Sequence, residues 1–398
     1  MGSRAVAISS SGKHLYVASS GSDAITIFRR DPRDGELTQP SGQGGCVADR
    51  GASGCADARG LEGPNSVSLS PDGRFLYATS RDSSTVTIYR RNSDTGALTQ
   101  LPGTSGCIAG EALPGCATAE ALDGPDVITT TSDGKNVYVG SFFGSAVVVF
   151  QRDREGGTLT QPTDGTGCLV NEPTEGCTTA VGLANPEGMT VSGDGSTVFV
   201  AAPGSNAVLA FSRNPVDGSL AQVGGGYGCI STSTIEGCST GRETSGANAV
   251  EVSPDDNDVY VTSLTSSSVT SFARSLSTGG IFQLAGPLGC VVWLGGDNCY
   301  RGRAMRSPEG IAFSPDDLHA YAVAYGTGGV AVLDRNPATG GLIQMRAPYG
   351  CVASPAVQGC ERARALAGAG GIAVSGDGKF VYVTGAKANS LTVFRRVR

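Results

Sequence analysis

NSVSLSPDGRFLYATSRDSSTVTIYRRNSDTGALTQ, residues 65–100, reads as four strands joined by tight turns. Asn65–Ser70 alternates with the period of two that places one face of a strand on a core, Pro71-Asp72-Gly73 turns the chain, and Phe75–Ser80 runs back. Thr85–Arg91 alternates again, Ser93-Asp94-Thr95-Gly96 turns, and Ala97–Gln100 is a short fourth strand leading into a long Gly- and Cys-bearing loop. No helical periodicity runs through any of it.

This unit recurs every 61 residues. Tyr16, Tyr77, Tyr138, Phe199, Tyr260, Tyr321 and Tyr382 hold one phase in the second strand, so the unit is begun seven times. Phe28, Tyr89, Phe150, Phe211, Phe272, Leu333 and Phe394 hold a phase in the third. A fixed period overrides any domain count taken from length, and four-stranded units arranged radially bury their faces on one another. The expectation is all-β: one seven-bladed β-propeller over 1–398, with four-stranded antiparallel blades. The chain stops after the third strand of its last unit, so the last blade lacks its outer strand. Residues upstream of Met1 are expected to supply it.

Cysteines follow the same clock: Cys46, Cys107, Cys168, Cys229, Cys290 and Cys351, with Cys55, Cys116, Cys177, Cys238, Cys299 and Cys360 nine residues after each. A separation of nine suits loop-closing disulfides better than zinc, which favours close CxxC pairs or histidine partners. Pairing between neighbouring loops is the alternative. Twelve cysteines without an odd one imply an oxidising compartment. Met1-Gly2-Ser3 does not read as a signal peptide, so the expectation is an extracellular or cell-envelope protein whose targeting segment is missing from this chain. No run is long and apolar enough for a membrane span. The net charge is −7 with basic residues scattered, which speaks against a nucleic-acid partner.

Segments such as Val259-Tyr260-Val261-Thr262-Ser263 and Val381-Tyr382-Val383-Thr384-Gly385, after Ser-Pro-Asp or Ser-Gly-Asp-Gly turns, resemble the YVTN β-propeller repeat. They also resemble the lactonase-type seven-bladed propellers, relatives of 6-phosphogluconolactonase and carboxymuconate cyclase. The resemblance spans the chain and implies the fold. Enzymatic members use an acid–base set that includes a histidine. Here the only histidines, His14 and His319, sit beside the first turn on the far face, and no position accepts that role.

Phases that recur read as scaffold. Asp72, Asp133, Asp194, Asp255, Asp316 and Asp377 mark the first turn, and Arg30, Arg91, Arg152, Arg213, Arg274, Arg335 and Arg396 close the third strand, which suggests an Asp–Arg lock on what we call the bottom face. Phases that vary nominate function. At the start of the innermost strand stand Arg4, Asn65, Asp126, Glu187, Asn248, Glu309 and Gly370, expected to line the top of the central channel. Asp126, Glu187 and Glu309 are candidate calcium ligands or weak catalytic carboxylates. Arg81, Phe142 and Tyr325 in the loops after the second strand, with Trp293 from the fifth cysteine loop, are candidate ligand contacts. The main expectation is a scaffold that binds a small molecule, glycan or protein at the top face and channel. The alternative is a lactonase-like hydrolase or isomerase using the channel carboxylates, with or without calcium.

Overall fold

The computed structural model describes residues 3–296 and 298–396, apart from the side chains of 3, 4 and 53. Seven blades stand round one axis, and six have the same plan. In the second, Pro64–Leu69, Phe75–Ser80 and Thr85–Arg91 form an antiparallel meander from the axis outward. The fourth position is shared by two short strands. Leu98–Gln100 pairs with Tyr89–Arg91, and after a 3₁₀ turn at Gly103–Gly106 the strand Cys107–Ala109 pairs with Thr85–Thr87. Ala117–Thr118 then adds parallel to Ile108–Ala109 as the outermost edge.

The cysteine loops therefore belong to the blades. Each disulfide joins a cysteine to the one nine residues on, from Cys46–Cys55 to Cys351–Cys360, and no cysteine is free among the described residues. The bond ties the fourth strand to the outermost one, which answers why so short a parallel pair holds at a sheet edge. The seventh blade has only Ala369–Val374, Phe380–Gly385 and Ser390–Arg395 among the described residues.

The core lies between blades. One apolar layer joins Tyr16, Ile25 and Val47 of the first blade to Leu76, Tyr89 and Leu98 of the second, and equivalent layers follow round the ring. Below each layer a polar latch crosses the same seam. The Arg152 Nε–H donates to the Tyr77 hydroxyl (2.6 Å), which donates to the Gly157 carbonyl (3.0 Å). Another nitrogen of Arg152 reaches Asp72 (3.1 Å), and a third donates to Gly134 of its own first turn (2.9 Å). Gly157 has φ +80°, and a Cβ there would sit 2.2 Å from the Phe75 ring, so this contact admits only glycine. The latch between blades seven and one is the same: Arg30 binds Tyr382 (2.6 Å) and Asp377 (3.0 Å), closing the ring.

The expected Asp–Arg lock is thus present and carries a tyrosine as well. Partial burial alone would raise the latch carboxyls. Hydrogen bonds from the turn and from the arginine outweigh it and hold Asp72, Asp133, Asp255 and Asp377 at about 2. A depressed carboxyl contributes stability that is present above its unfolded pKa and lost as pH falls through its folded one. The melting temperature should hold down to about pH 4 and drop steeply towards pH 2 in scanning calorimetry. The latch between blades four and five lacks its tyrosine: Phe199 occupies that phase, and the buried Arg274 Nε–H has no partner. Phe199→Tyr should stabilise the protein by about 1 kcal/mol in urea unfolding, by restoring that hydrogen bond.

Candidate functional site at the top of the central channel

The innermost strands make the channel wall, and all but one begin with an irregularity. In the second blade Pro64 pairs with Ser80 and Ser66 with Thr79, leaving Asn65 as an extra residue. The same register shift falls at Asp126, Asn248 and Glu309, at Arg4, and at Gly370–Gly371. In the fourth blade pairing starts at Gly188, and the Glu187 N–H also reaches the Ala201 carbonyl (3.0 Å). A bulge of this kind re-aims a side chain without moving the strand. Here it turns the ring residues into the lumen.

Asn65, Asp126, Glu187, Asn248 and Glu309 line one cavity of about 270 Å³, as the strand-start phase predicts. The Arg4 side chain lies outside the described residues. Beneath the polar ring comes an apolar one, with Val6, Val67, Met189, Val250, Ile311 and Ile372 on the wall. Ring residues hold each other in place. The Asn65 amide donates to Asp126, Arg81 approaches the same carboxylate (3.4 Å), and the Asn248 amide is engaged by the Thr262 hydroxyl (3.0 Å).

Arg81 and Phe142 join this cluster. The Arg81 guanidinium lies over Phe142 (4.0 Å) and Phe143 (4.8 Å), and its buried Nε–H has no hydrogen-bond partner. Phe143, edge-on to Phe142, is 60% exposed. Tyr325 and Trp293 are not among the residues that line this cavity. Lys387 covers Tyr325 (4.2 Å), and Arg306 covers Trp293 (5.7 Å) while donating to Gly326 (2.7 Å). Trp293 is also half sunk into the core between blades five and six, so it is a packing residue as much as a surface one.

The three calcium candidates do not form a ready cluster. Asp126, Glu187 and Glu309 come from blades three, four and six, and their oxygens do not gather within 4.8 Å of one another. Among the described residues the one such group of three is Glu120 with Cys168 and Cys177, whose sulfurs are bonded to each other. A hard cation needs several oxygens at 2.3–2.6 Å, roughly, which these three do not provide as they stand. The histidines lie where the repeat phase predicts, on the bottom face. His14 accepts from Arg91 (2.8 Å), and His319 lies beside Arg396 (3.2 Å) and Asp334 (3.6 Å).

One residue was missed. Glu251 stands on the same wall, one position below the apolar ring, and burial pushes its carboxyl up to about 7. Its phase reads Ala7, Ser68, Thr129, Thr190, Glu251, Ala312 and Ala373, so a single carboxylate among small residues marked it in the sequence. A carboxyl titrating near neutrality inside a cleft is suited to moving protons.

The chain matches the family model described as Lactonase, 7-bladed beta-propeller, over residues 2–48, 55–107 and 303–397. No curated protein matches it in sequence. Solved structures share its fold. A Bacteroides uniformis protein provisionally assigned as a 6-phosphogluconolactonase aligns with TM-score 0.66 and 18% identity, over 97% of this chain and 92% of its own. The periplasmic gluconolactonase of Pseudomonas aeruginosa aligns at 0.62 and 19%, over 96% and 92%. The hydrazine synthase of Kuenenia stuttgartiensis aligns at 0.59 and 18%, over 100% and 96%. At such identities the likeness is one of fold.

A buried acid with a raised pKa penalises the folded state above its unfolded pKa, and the penalty is complete above the folded one. Glu251→Gln should therefore raise the melting temperature at pH 8 and leave it unchanged near pH 4. An equal shift at both pH values would mean that the wild-type carboxyl titrates normally.

Proposed function

We propose that this chain, whose repeat resembles and whose sequence matches the lactonase-type seven-bladed β-propellers, hydrolyses a sugar-acid lactone in its central channel. What carries the reading is the place of Glu251, a carboxyl on the wall of a channel whose mouth is lined with polar groups, where desolvation favours its protonated form. As a carboxylate it takes a proton from water, and the hydroxide adds to the lactone carbonyl. Collapse of the tetrahedral intermediate breaks the ring C–O bond, and the Glu251 carboxylic acid returns the proton to the departing oxygen. The product is the open hydroxy acid.

The mouth supplies recognition. Asn65, Asn248 and the Asp126–Arg81 pair present amide, guanidinium and carboxylate groups to the hydroxyls of a polyol ring, and Phe142–Phe143 flank the opening. Six disulfides and the likeness to a periplasmic gluconolactonase support export. The scaffold reading is favoured by the exposed Phe143 and the aromatic–cation contacts of the rim.

Hydrolysis of a panel of aldonolactones, beginning with glucono-δ-lactone, separates the two. Catalysis should rise with pH through about 7 as Glu251 ionises, and Glu251→Gln should lose at least about 100-fold in kcat. Turnover that survives this substitution, or silence of the folded wild type across the panel, would sink the hydrolase.

A further inference from the structure

Six of the seven interblade arginines meet a carboxylate from the preceding blade. Arg30, Arg152, Arg213, Arg274, Arg335 and Arg396 reach Asp377, Asp72, Asp133, Asp194, Asp255 and Asp316 at 2.8–3.1 Å. The seventh does not. The position in blade one that would face Arg91 is Ser11, and among the described residues Arg91 makes no ion pair.

Arg91 is nonetheless buried like the others, 8% exposed. Its three hydrogen bonds all go to neutral groups: the Tyr16 hydroxyl (2.5 Å), the Gly73 carbonyl (2.9 Å) and His14 Nδ1 (2.8 Å). Burial, then the Arg91 charge, push His14 down to about 4, so the imidazole is neutral at physiological pH and offers no compensation. Three of the five guanidinium N–H groups are used. A buried charge left without a counter-charge is costly, and the other six latches avoid that cost with a carboxylate.

Ser11 keeps the inner half of the turn, hydrogen-bonded to Ser9 (3.1 Å) as Asp72 is to Ser70 (2.5 Å), but lacks the carboxyl that would extend across the seam. There a cavity of about 790 Å³ opens on the bottom face, with Ser10, Ser11, Lys13, Arg74, Arg90 and Arg91 on its wall. Asp72 and Asp94 also border it: the Asp72 carboxylate is engaged by Arg152 (3.1 Å) and Arg74 (3.4 Å), and Asp94 is exposed to solvent.

We propose that the seam between blades one and two is a binding site for a small oxyanion of carboxylate type, which sits between Ser11 and Arg91 in place of the missing aspartate side chain. Lys13 and Arg90 add positive charge at its opening, and the planar guanidinium suits the two oxygens of a carboxylate. The bound anion supplies the one carboxylate that the seven interblade arginines lack, so it couples solution composition to closure of the propeller. The site is on the face opposite the channel mouth and is independent of the proposed hydrolysis.

Ser11→Asp makes blade one resemble the other six and tests the idea directly. Formate is the probe, at fixed ionic strength in sodium chloride. The melting temperature of the wild type should rise saturably by about 2–4 °C, and calorimetry should detect one site. Ser11→Asp should melt higher without formate and show neither effect. Parallel responses of the two proteins, no formate binding by the wild type, or a Ser11→Asp protein less stable than wild type would each overturn the proposal. Sulfate in place of formate distinguishes a site for oxyanions in general from one that accepts only a carboxylate.

Discussion

An arginine that ends the third strand of one blade and buries its head against the blade before it is the contact on which this ring depends. Its three nitrogens do separate jobs: one binds a tyrosine hydroxyl across the seam, one a turn carbonyl of its own blade, and one an aspartate across the seam. Apolar layers between blades are non-directional and would tolerate some slippage. The hydrogen bonds would not, because guanidinium geometry fixes the angle between neighbouring blades. Repeated round the axis, that angle closes the circle at Arg30 with Tyr382 and Asp377.

With the frame fixed, the channel mouth can vary. A bulge at the start of the inner strand sends one residue per blade into the lumen, and that residue is free of the packing demands placed on its neighbours. Asparagine, aspartate, glutamate and glycine all occur there. Chemistry and scaffold are thereby separated within a few residues of one strand, which is how one frame accommodates a site that differs from blade to blade.

Legibility in the sequence followed the same division. The blade count, the Asp–Arg lock and the channel-lining phase could be read because each is periodic and each side chain has a definite strand position. The outer strands could not: Cys107–Ala109 and Ala117–Thr118 are too short to show alternation, and their glycine-rich surroundings look like loop. The calcium candidates are dispersed for a geometric reason, since a shared phase puts residues at one height but spreads them round a ring. Glu251 lies past the start of its strand, away from the phase that varies most, and its significance depends on burial, which sequence does not display. Likewise, Ser11 stands out only once Arg91 is seen to be as buried as its fellows.

All six disulfides lie within blades; none crosses a seam. Covalent chemistry therefore stiffens six of the seven leaves without riveting one leaf to the next. Under tension the molecule is a ring of plates joined by non-covalent seams, and each oxidised plate keeps its outer hem while a seam opens. Its toughness against a pull is set by the weakest seam, however many sulfur bridges it contains.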